Sequence, residues 1–254
     1  MLSTEERRDD IISLVHEEGR VRTADLSKRY GISEVSIRRD LEYLEAEGQL
    51  SRVHGGAVGV GKLYVNMSLT ERFKTNAQSK KRLARAVAGI VEDNDTIIMN
   101  SGTTLLYAIH ALEGKRNITI VTNSVQNAAE AALIPGFNVI LLGGEIEPTY
   151  QFTHGENAVA QLENYHAAKC LLSVDGISAE SGLTLFYSTE ATLVRKMIDC
   201  SDRVIVATDS TKIGRRAFAK IADTASVNTL ITNEDAEEAE LLKIERHGVR
   251  VIKA

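Results

Sequence analysis

From about residue 83 to its end the chain alternates short apolar runs with helical stretches, and this constrains the fold more than any other feature. The strand-like runs are 96–99, 118–122, 138–142, 170–174, 204–208, 229–232 and 249–252. Helical periodicity lies between most of them, at 103–112, 125–133, 156–164, 190–199 and 236–247. Repetition of strand then helix predicts a mostly parallel sheet with helices packed on it. Ligands in such sheets sit beyond the carboxyl ends of the strands, so the residues that follow each run carry the functional argument.

Those residues are small, polar and glycine-rich. They read Asn100-Ser-Gly-Thr-Thr104, Asn123-Ser124, Gly143-Gly144, Asp175-Gly176 and Asp209-Ser-Thr-Lys212. The SGTT turn precedes a helix, where backbone N–H groups, threonine hydroxyls and the helix N-terminus together suit a phosphate. Lys212 can add positive charge, and Asp175 and Asn100 can take sugar hydroxyls. One Gly-Thr turn alone reads as an ordinary strand–helix connection; five such turns on one sheet edge predict a pocket. The first strand is followed by NSGTT and not by G-x-G-x-x-G, so a dinucleotide cofactor is not expected. His154 has no second His or Cys at ligand spacing, and no metal is expected.

Residues 1–58 have a different pattern. A helix over 3–18 opens on a Ser3/Glu6 capping box and carries Ile11, Ile12, Leu14 and Val15, with Gly19 as its stop. Val21 lies in a short extended piece. Thr23 opens a second helix, which ends at Gly31. Ser33 opens a third, which runs to Glu47 and stops at Gly48, with Ile37, Leu41 and Leu44 on its buried face. QLSRVHGGAV then reads as a small hairpin. Together these predict a winged helix-turn-helix. Ser36, Arg38 and Arg39 fall on the N-terminal half of the third helix, the half that reads base edges. Arg52 and His54 fall on the wing.

Bulk composition neither advertises nor forbids this. The net charge is −5, and the first 58 residues carry nine Lys/Arg against twelve Asp/Glu, so any DNA contact must come from a local face. The acidic first helix is expected to face away from DNA. Glu42, Glu45 and Glu47 are expected to repel phosphate along the far half of the third helix. Cys170 and Cys200 are too few for a disulfide framework, the start MLSTEERRDD has no apolar signal segment, and no apolar run approaches a membrane span. A reduced, cytoplasmic protein is expected. Residues 59–76 read as a linker, so the expected division is 1–58, 59–76 and 77–254. The basic residues of 72–85 read as a solvated helix face.

The N-terminal run, above all SEVSIRRDL and the closing RVHGGA, resembles the DeoR family of bacterial sugar-catabolism repressors. NSGTT, VTNS, LLGGEI, VDGIS, SGLT and DSTKIG extend the resemblance over nearly the whole chain. It implies a regulator that binds a double-stranded DNA operator through Ser36, Arg38, Arg39 and Arg52, and that responds to a phosphorylated sugar. The family's C-terminal domain resembles type A ribose-5-phosphate isomerase. By that resemblance Gly102, Thr103 and Thr104 hold the phosphate, Asn100, Asp175 and Lys212 line the sugar, and Glu190 corresponds to the isomerase's catalytic acid. The isomerases carry a Lys beside a glycine run where this chain reads Glu180-Ser-Gly-Leu-Thr184, so enediolate chemistry lacks a charge stabiliser and no enzyme activity is expected. The competing readings are an isomerase with an accessory DNA-binding domain and an architectural DNA-binding protein without a ligand. Paired half-sites predict a homo-oligomer.

Overall fold

A computed structural model describes residues 3–18, 20–46, 50–59 and 68–254. The chain divides into two compact units, Met1–Met67 and Ser68–Ala254. Gly19, Glu47, Gly48 and the linker residues 60–67 lie outside the described residues.

The first unit is built from helices α1 (Thr4–Glu18), α2 (Thr23–Tyr30) and α3 (Glu34–Ala46). Strand β1 (Arg20–Arg22) joins the hairpin β2 (Leu50–Val53) and β3 (Gly56–Gly59) in a three-stranded antiparallel sheet of order β1-β3-β2. The expected capping box is formed: the Ser3 N–H donates to Glu6 Oε2 at 2.8 Å and the Glu6 N–H to Ser3 Oγ at 3.2 Å. Ile37, Leu41 and Leu44, one face of α3, are buried with Ile11, Val15, Leu26 and Leu50 in a single core. This is the winged helix-turn-helix that the sequence predicts.

The second unit holds a seven-stranded sheet, every adjacent pair parallel. In chain order its strands are β4 (Thr96–Met99), β5 (Ile118–Thr122), β6 (Phe137–Leu141), β9 (Ala167–Leu172), β12 (Ser201–Ala207), β14 (Thr229–Thr232) and β15 (Arg250–Lys253). In space they run β15-β14-β12-β9-β4-β5-β6. Side chains alternate across the pleat, so Ile97 and Met99 enter one core while Ile98 enters the other. The first core is closed by α5 (Ala77–Ile90) and α6 (Thr103–Ala111). The second is closed by α8 (Glu156–Leu162), α9 (Ser188–Asp199) and α10 (Glu238–Glu245). Helix α7 (Val125–Ala131) follows β5.

Three features depart from the expected layout. The span read as a linker through residue 76 contains helix α4 (Leu69–Lys74), opened by a Ser68/Glu71 capping box, and the second compact unit already begins at Ser68. A small hairpin, β7 (Glu145–Glu147) with β8 (Phe152–His154), occupies the stretch around Tyr150. A second antiparallel sheet, β10 (Gly176–Ser178), β11 (Gly182–Leu185) and β13 (Ala219–Ala222), follows β9, and Ala179, Glu180 and Ser181 form the turn between β10 and β11.

Candidate functional site

Chain order reverses between β4 and β9. The first strand pairs with the fourth, so connections leave in opposite directions, and beyond the carboxyl ends of such strands is where ligand crevices form in open parallel sheets. Asn100 to Thr104 and Ser173 to Asp175 meet there. Asn100 is buried and spans the two strands: its Nδ2 donates to the Ser173 carbonyl at 3.0 Å, and the Ser173 N–H donates to its Oδ1 at 2.9 Å. Asn100, expected to take sugar hydroxyls, here uses its amide to tie the end of β4 to Ser173 after β9. Gly102 has φ 146°, and a Cβ there would lie 2.7 Å from Ser173 Cβ. Only glycine lets the turn pass this close, and α6 follows at once with no side chain capping its N-terminus.

Glu190, in the first turn of α9, reaches this turn from the opposite core face. Its Oε1 accepts from the Ser101 hydroxyl (2.8 Å), the Ser101 N–H (3.3 Å) and Asn123 Nδ2 (3.1 Å). Burial pushes its carboxyl up to about 7, against the pull of those three donors. Asn123 is fully buried. Its Nδ2 also donates to the Thr153 carbonyl, and its Oδ1 is an acceptor without a donor among the described residues.

Charge gathers beside this turn. Lys80, Lys212, Arg72 and Arg215 influence one another and lie close to Asp209 and Asp175. Lys80 and Lys212 are almost fully buried. Burial draws Lys80 down to about 8, partly restored by Asp209, and lowers Lys212 in the same way. Asp175 Oδ2 accepts from the Phe186 N–H at 2.9 Å, and its Oδ1 lies 3.9 Å from Arg72. Gly176 lets the loop carrying Arg215 close over it, since a Cβ would meet the Arg215 carbonyl at 2.5 Å. The buried Tyr150 packs edge-on to Tyr187 at 4.9 Å and supports the Arg72 guanidinium 4.0 Å above its ring.

Thr103, Thr104, Asp175, Glu190 and Lys212 therefore share one neighbourhood. Gly143 and Gly144 follow β6, two strands from the switch point. The Gly143 N–H donates to Gln161, and Gly144 lies against the His154 carbonyl, so their contacts serve the β7–β8 hairpin and α8. Arg72 and Lys80 reverse the expectation of a solvated face; only Lys74, Lys81, Arg82 and Arg85 of that cluster are exposed. The missed signal was spacing. Lys80, Leu83, Ala84 and Val87 form an i, i+3, i+4, i+7 stripe, which places a lysine on the apolar face.

On the first unit, Arg38 and Arg39 are exposed on the N-terminal half of α3, beside an exposed Val35. Arg38 makes a solvent-facing pair with Glu34 at 3.1 Å, and Arg39 makes no ion pair among the described residues. Asp40 is not their partner: it is buried and accepts from Arg7 (2.8 Å) and Arg8 (3.0 Å) of α1. Ser36 is half-buried with its hydroxyl against Ser33. Glu42 and Glu45 were expected only to repel phosphate, yet both hold the wing. Glu42 binds the Arg52 guanidinium and Glu45 accepts the Arg52 N–H, each at 2.8 Å.

The description "DeoR-like helix-turn-helix domain" matches residues 7–62, and "DeoR C terminal sensor domain" matches residues 75–234. The chain belongs to the DeoR family. It is 35% identical to the HTH-type transcriptional regulator YulB of Bacillus subtilis (strain 168) over 97% of this chain and 95% of that protein. It is 32% identical to the HTH-type transcriptional regulator GolR of Listeria innocua over 97% of each. It is 30% identical to the glycerol-3-phosphate regulon repressor of Escherichia coli (strain K12) over 90% of each. The chain is thus a DNA-binding transcriptional regulator with a family sensor domain behind its winged helix. Among solved structures, ribose-5-phosphate isomerase A of Neisseria gonorrhoeae aligns over 52% of each chain at 17% identity with a TM-score of 0.40, too weak a likeness to transfer chemistry. Among the described residues no helix is long and apolar enough to cross a membrane.

Proposed function

We propose that the chain is a cytoplasmic repressor of a sugar-catabolism operon whose DNA affinity is set by a phosphorylated sugar bound at the β4/β9 switch point. The observation that carries this reading is the composition of the crevice. Four cationic side chains, Arg72, Lys80, Lys212 and Arg215, are gathered against Asp175, Asp209 and a Glu190 poised between its charged and neutral forms. Side chains of both signs gathered at one sheet edge suit a ligand that carries an anionic phosphate and hydroxyl groups. The uncapped N-terminus of α6 at Thr103 and Thr104 supplies aligned N–H groups for a phosphate, and Asp175 and Glu190 supply acceptors for hydroxyls. One relative is named for a glycerol-3-phosphate regulon, which is the same chemical class.

The DNA face in this reading is Arg38 and Arg39 with Ser36, and Arg52 holds the wing at its edge. Two copies would present two such faces to paired half-sites. In this reading the chain acts by binding and not by turnover, since the Lys that the isomerases carry beside a glycine run is absent from Glu180-Ser-Gly-Leu-Thr184. A thermal-shift screen against aldose, ketose and polyol phosphates, each with its unphosphorylated counterpart, tests the ligand class. Stabilisation by phosphorylated members alone is expected. Equal response to the unphosphorylated sugars, or turnover of ribose 5-phosphate abolished by Glu190→Gln, overturns the reading.

A further inference from the structure

The seven-stranded sheet ends on two open edges, and the two are built differently. Among the described residues β6 pairs only with β5, and β15 only with β14. The Leu142 N–H donates to the Thr122 carbonyl at 2.8 Å, so by alternation Ile140 and Asn138 also turn their backbone groups toward β5. Phe137, Val139 and Leu141 turn theirs to the open side. The strand reads Phe137-Asn-Val-Ile-Leu141, with no charge and no proline, and its register with β5 runs without a bulge. β15 reads Arg250-Val-Ile-Lys253, with a cation at each end. Charges, prolines and bulges are what keep an open edge from pairing with another chain, and β6 carries none of them. Apolar exposure gathers beside it. Of the eight large apolar side chains exposed among the described residues, Leu133, Leu141 and Ile146 lie within β6 or on either side of it in the chain.

We propose that β6 is the surface on which two copies of this chain pair, strand against strand, about a two-fold axis at Val139. The inference supplies a surface for the pairing of copies proposed above and rests on that pairing, not on the sugar phosphate. Two copies of one strand related by a two-fold axis run antiparallel, and each residue meets the one equally far beyond the axis. With the axis at Val139, Phe137 meets Leu141 of the partner subunit, so the residues with outward backbone groups face one another. Val139 exchanges both of its bonds with Val139 of the partner subunit, and the Leu141 N–H reaches the carbonyl of Phe137 of the partner subunit. The Phe137 N–H is already held by the Ile134 carbonyl at 3.2 Å, in the turn that brings Leu133 to the start of the strand. One face of the joined strands then carries Phe137, Val139 and Leu141 from each copy, an apolar set that is half-buried or exposed in a single chain. Charge decides between the two edges. The same pairing of β15 would set Arg250 against Lys253 of the partner subunit, whereas β6 brings no like charges together. A second copy is the occupant that fits β6, because this strand is complementary to itself in hydrogen bonding, in apolar character and in charge.

The test measures association of the full chain by sedimentation velocity over a concentration series, without DNA or sugar. Val139→Pro removes an N–H that β5 does not use, a position where an edge strand tolerates proline. It should raise the dissociation constant of one association step by about ten-fold or more, whereas Val251→Pro, at the corresponding outward position of β15, should change it by under about two-fold. A second readout needs no disruptive change. Cys170 is buried and Cys200 half-buried, so Cys200→Ser gives a quiet background. In it, Val139→Cys should cross-link two copies on mild oxidation, because residues paired on the axis have Cα atoms about 5.5 Å apart, within disulfide reach. Val251→Cys in the same background should not. Where Val139→Pro does not fold, the cross-link decides. A wild type that stays monomeric overturns the pairing of copies, and this inference falls with it. A wild type that associates, with every step unchanged in folded Val139→Pro or with no more cross-linking in Val139→Cys than in Val251→Cys, keeps the pairing and removes β6 as its surface.

Discussion

Glu190 and Gly102 show how single residues set the crevice. Glu190 has a folded-state pKa of about 7 against an ordinary 4.5, so the folded chain keeps a proton that the unfolded chain has released between those values. Its contribution to stability is complete below about pH 4.5 and is lost as pH rises through 7. Urea unfolding at pH 5 and pH 8 should therefore show the wild type losing up to about 3 kcal/mol that Glu190→Gln does not lose. Parallel pH profiles would show that the carboxyl is not desolvated. At Gly102 the cost is steric. Gly102→Ala should destabilise by about 2–4 kcal/mol, because its new Cβ meets Ser173 Cβ and its φ is unsuited to a side chain. Ser173→Gly in the same chain should recover part of that loss in denaturant melts; no recovery would place the strain elsewhere.

At the scale of elements, the helix pairs carry more than the surface charges do. Asp40 ties α3 to α1 through two arginines and is itself buried. Asp40→Ala should cost about 1–3 kcal/mol, since two half-buried cations lose their acceptor, whereas Glu34→Ala beside exposed Arg38 should cost under about 1 kcal/mol. Equal losses in thermal unfolding would contradict this ranking. Arg38→Ala and Arg39→Ala should instead leave stability near wild type and abolish specific DNA binding in gel shifts; retained binding would move the interface off α3. The elements themselves were legible where periodicity was strong, as in the seven strands and the buried face of α3. Three pieces were not. Helix α4 is six residues long, too short to show a period, although Ser68-Leu-Thr-Glu71 announces its start. The β7–β8 and β10–β11–β13 strands are three or four residues each and are fixed by tertiary contacts such as the Asp175 N–H to the Thr184 carbonyl. That the loops carrying Thr103, Asp175 and Lys212 lie at one edge of the sheet was readable because loops after parallel strands converge. The pairing of Asn100 with Ser173 was not readable, because nothing in sequence shows that Ser173 stands across from it.

The molecule as a whole joins a DNA-reading unit to a sensor unit on one chain, and its central claim is that occupancy of the switch-point crevice changes DNA affinity. A coupling of about 1–3 kcal/mol corresponds to a change of roughly 5–150-fold. Thr103→Asp addresses this directly. A carboxylate at the start of α6 is favoured by the helix dipole, so the helix should survive, while at short range it repels a phosphate that screening cannot protect. The decisive measurement is fluorescence anisotropy of a DNA duplex selected by the wild type from a random pool, titrated with wild type and with Thr103→Asp, each with and without the sugar phosphate that most stabilises the wild type. The account predicts that the sugar phosphate shifts wild-type DNA affinity at least about 5-fold and leaves the Thr103→Asp curve unmoved. A variant that responds at the wild-type ligand concentration, or a wild type whose DNA affinity ignores a ligand it binds, would contradict it.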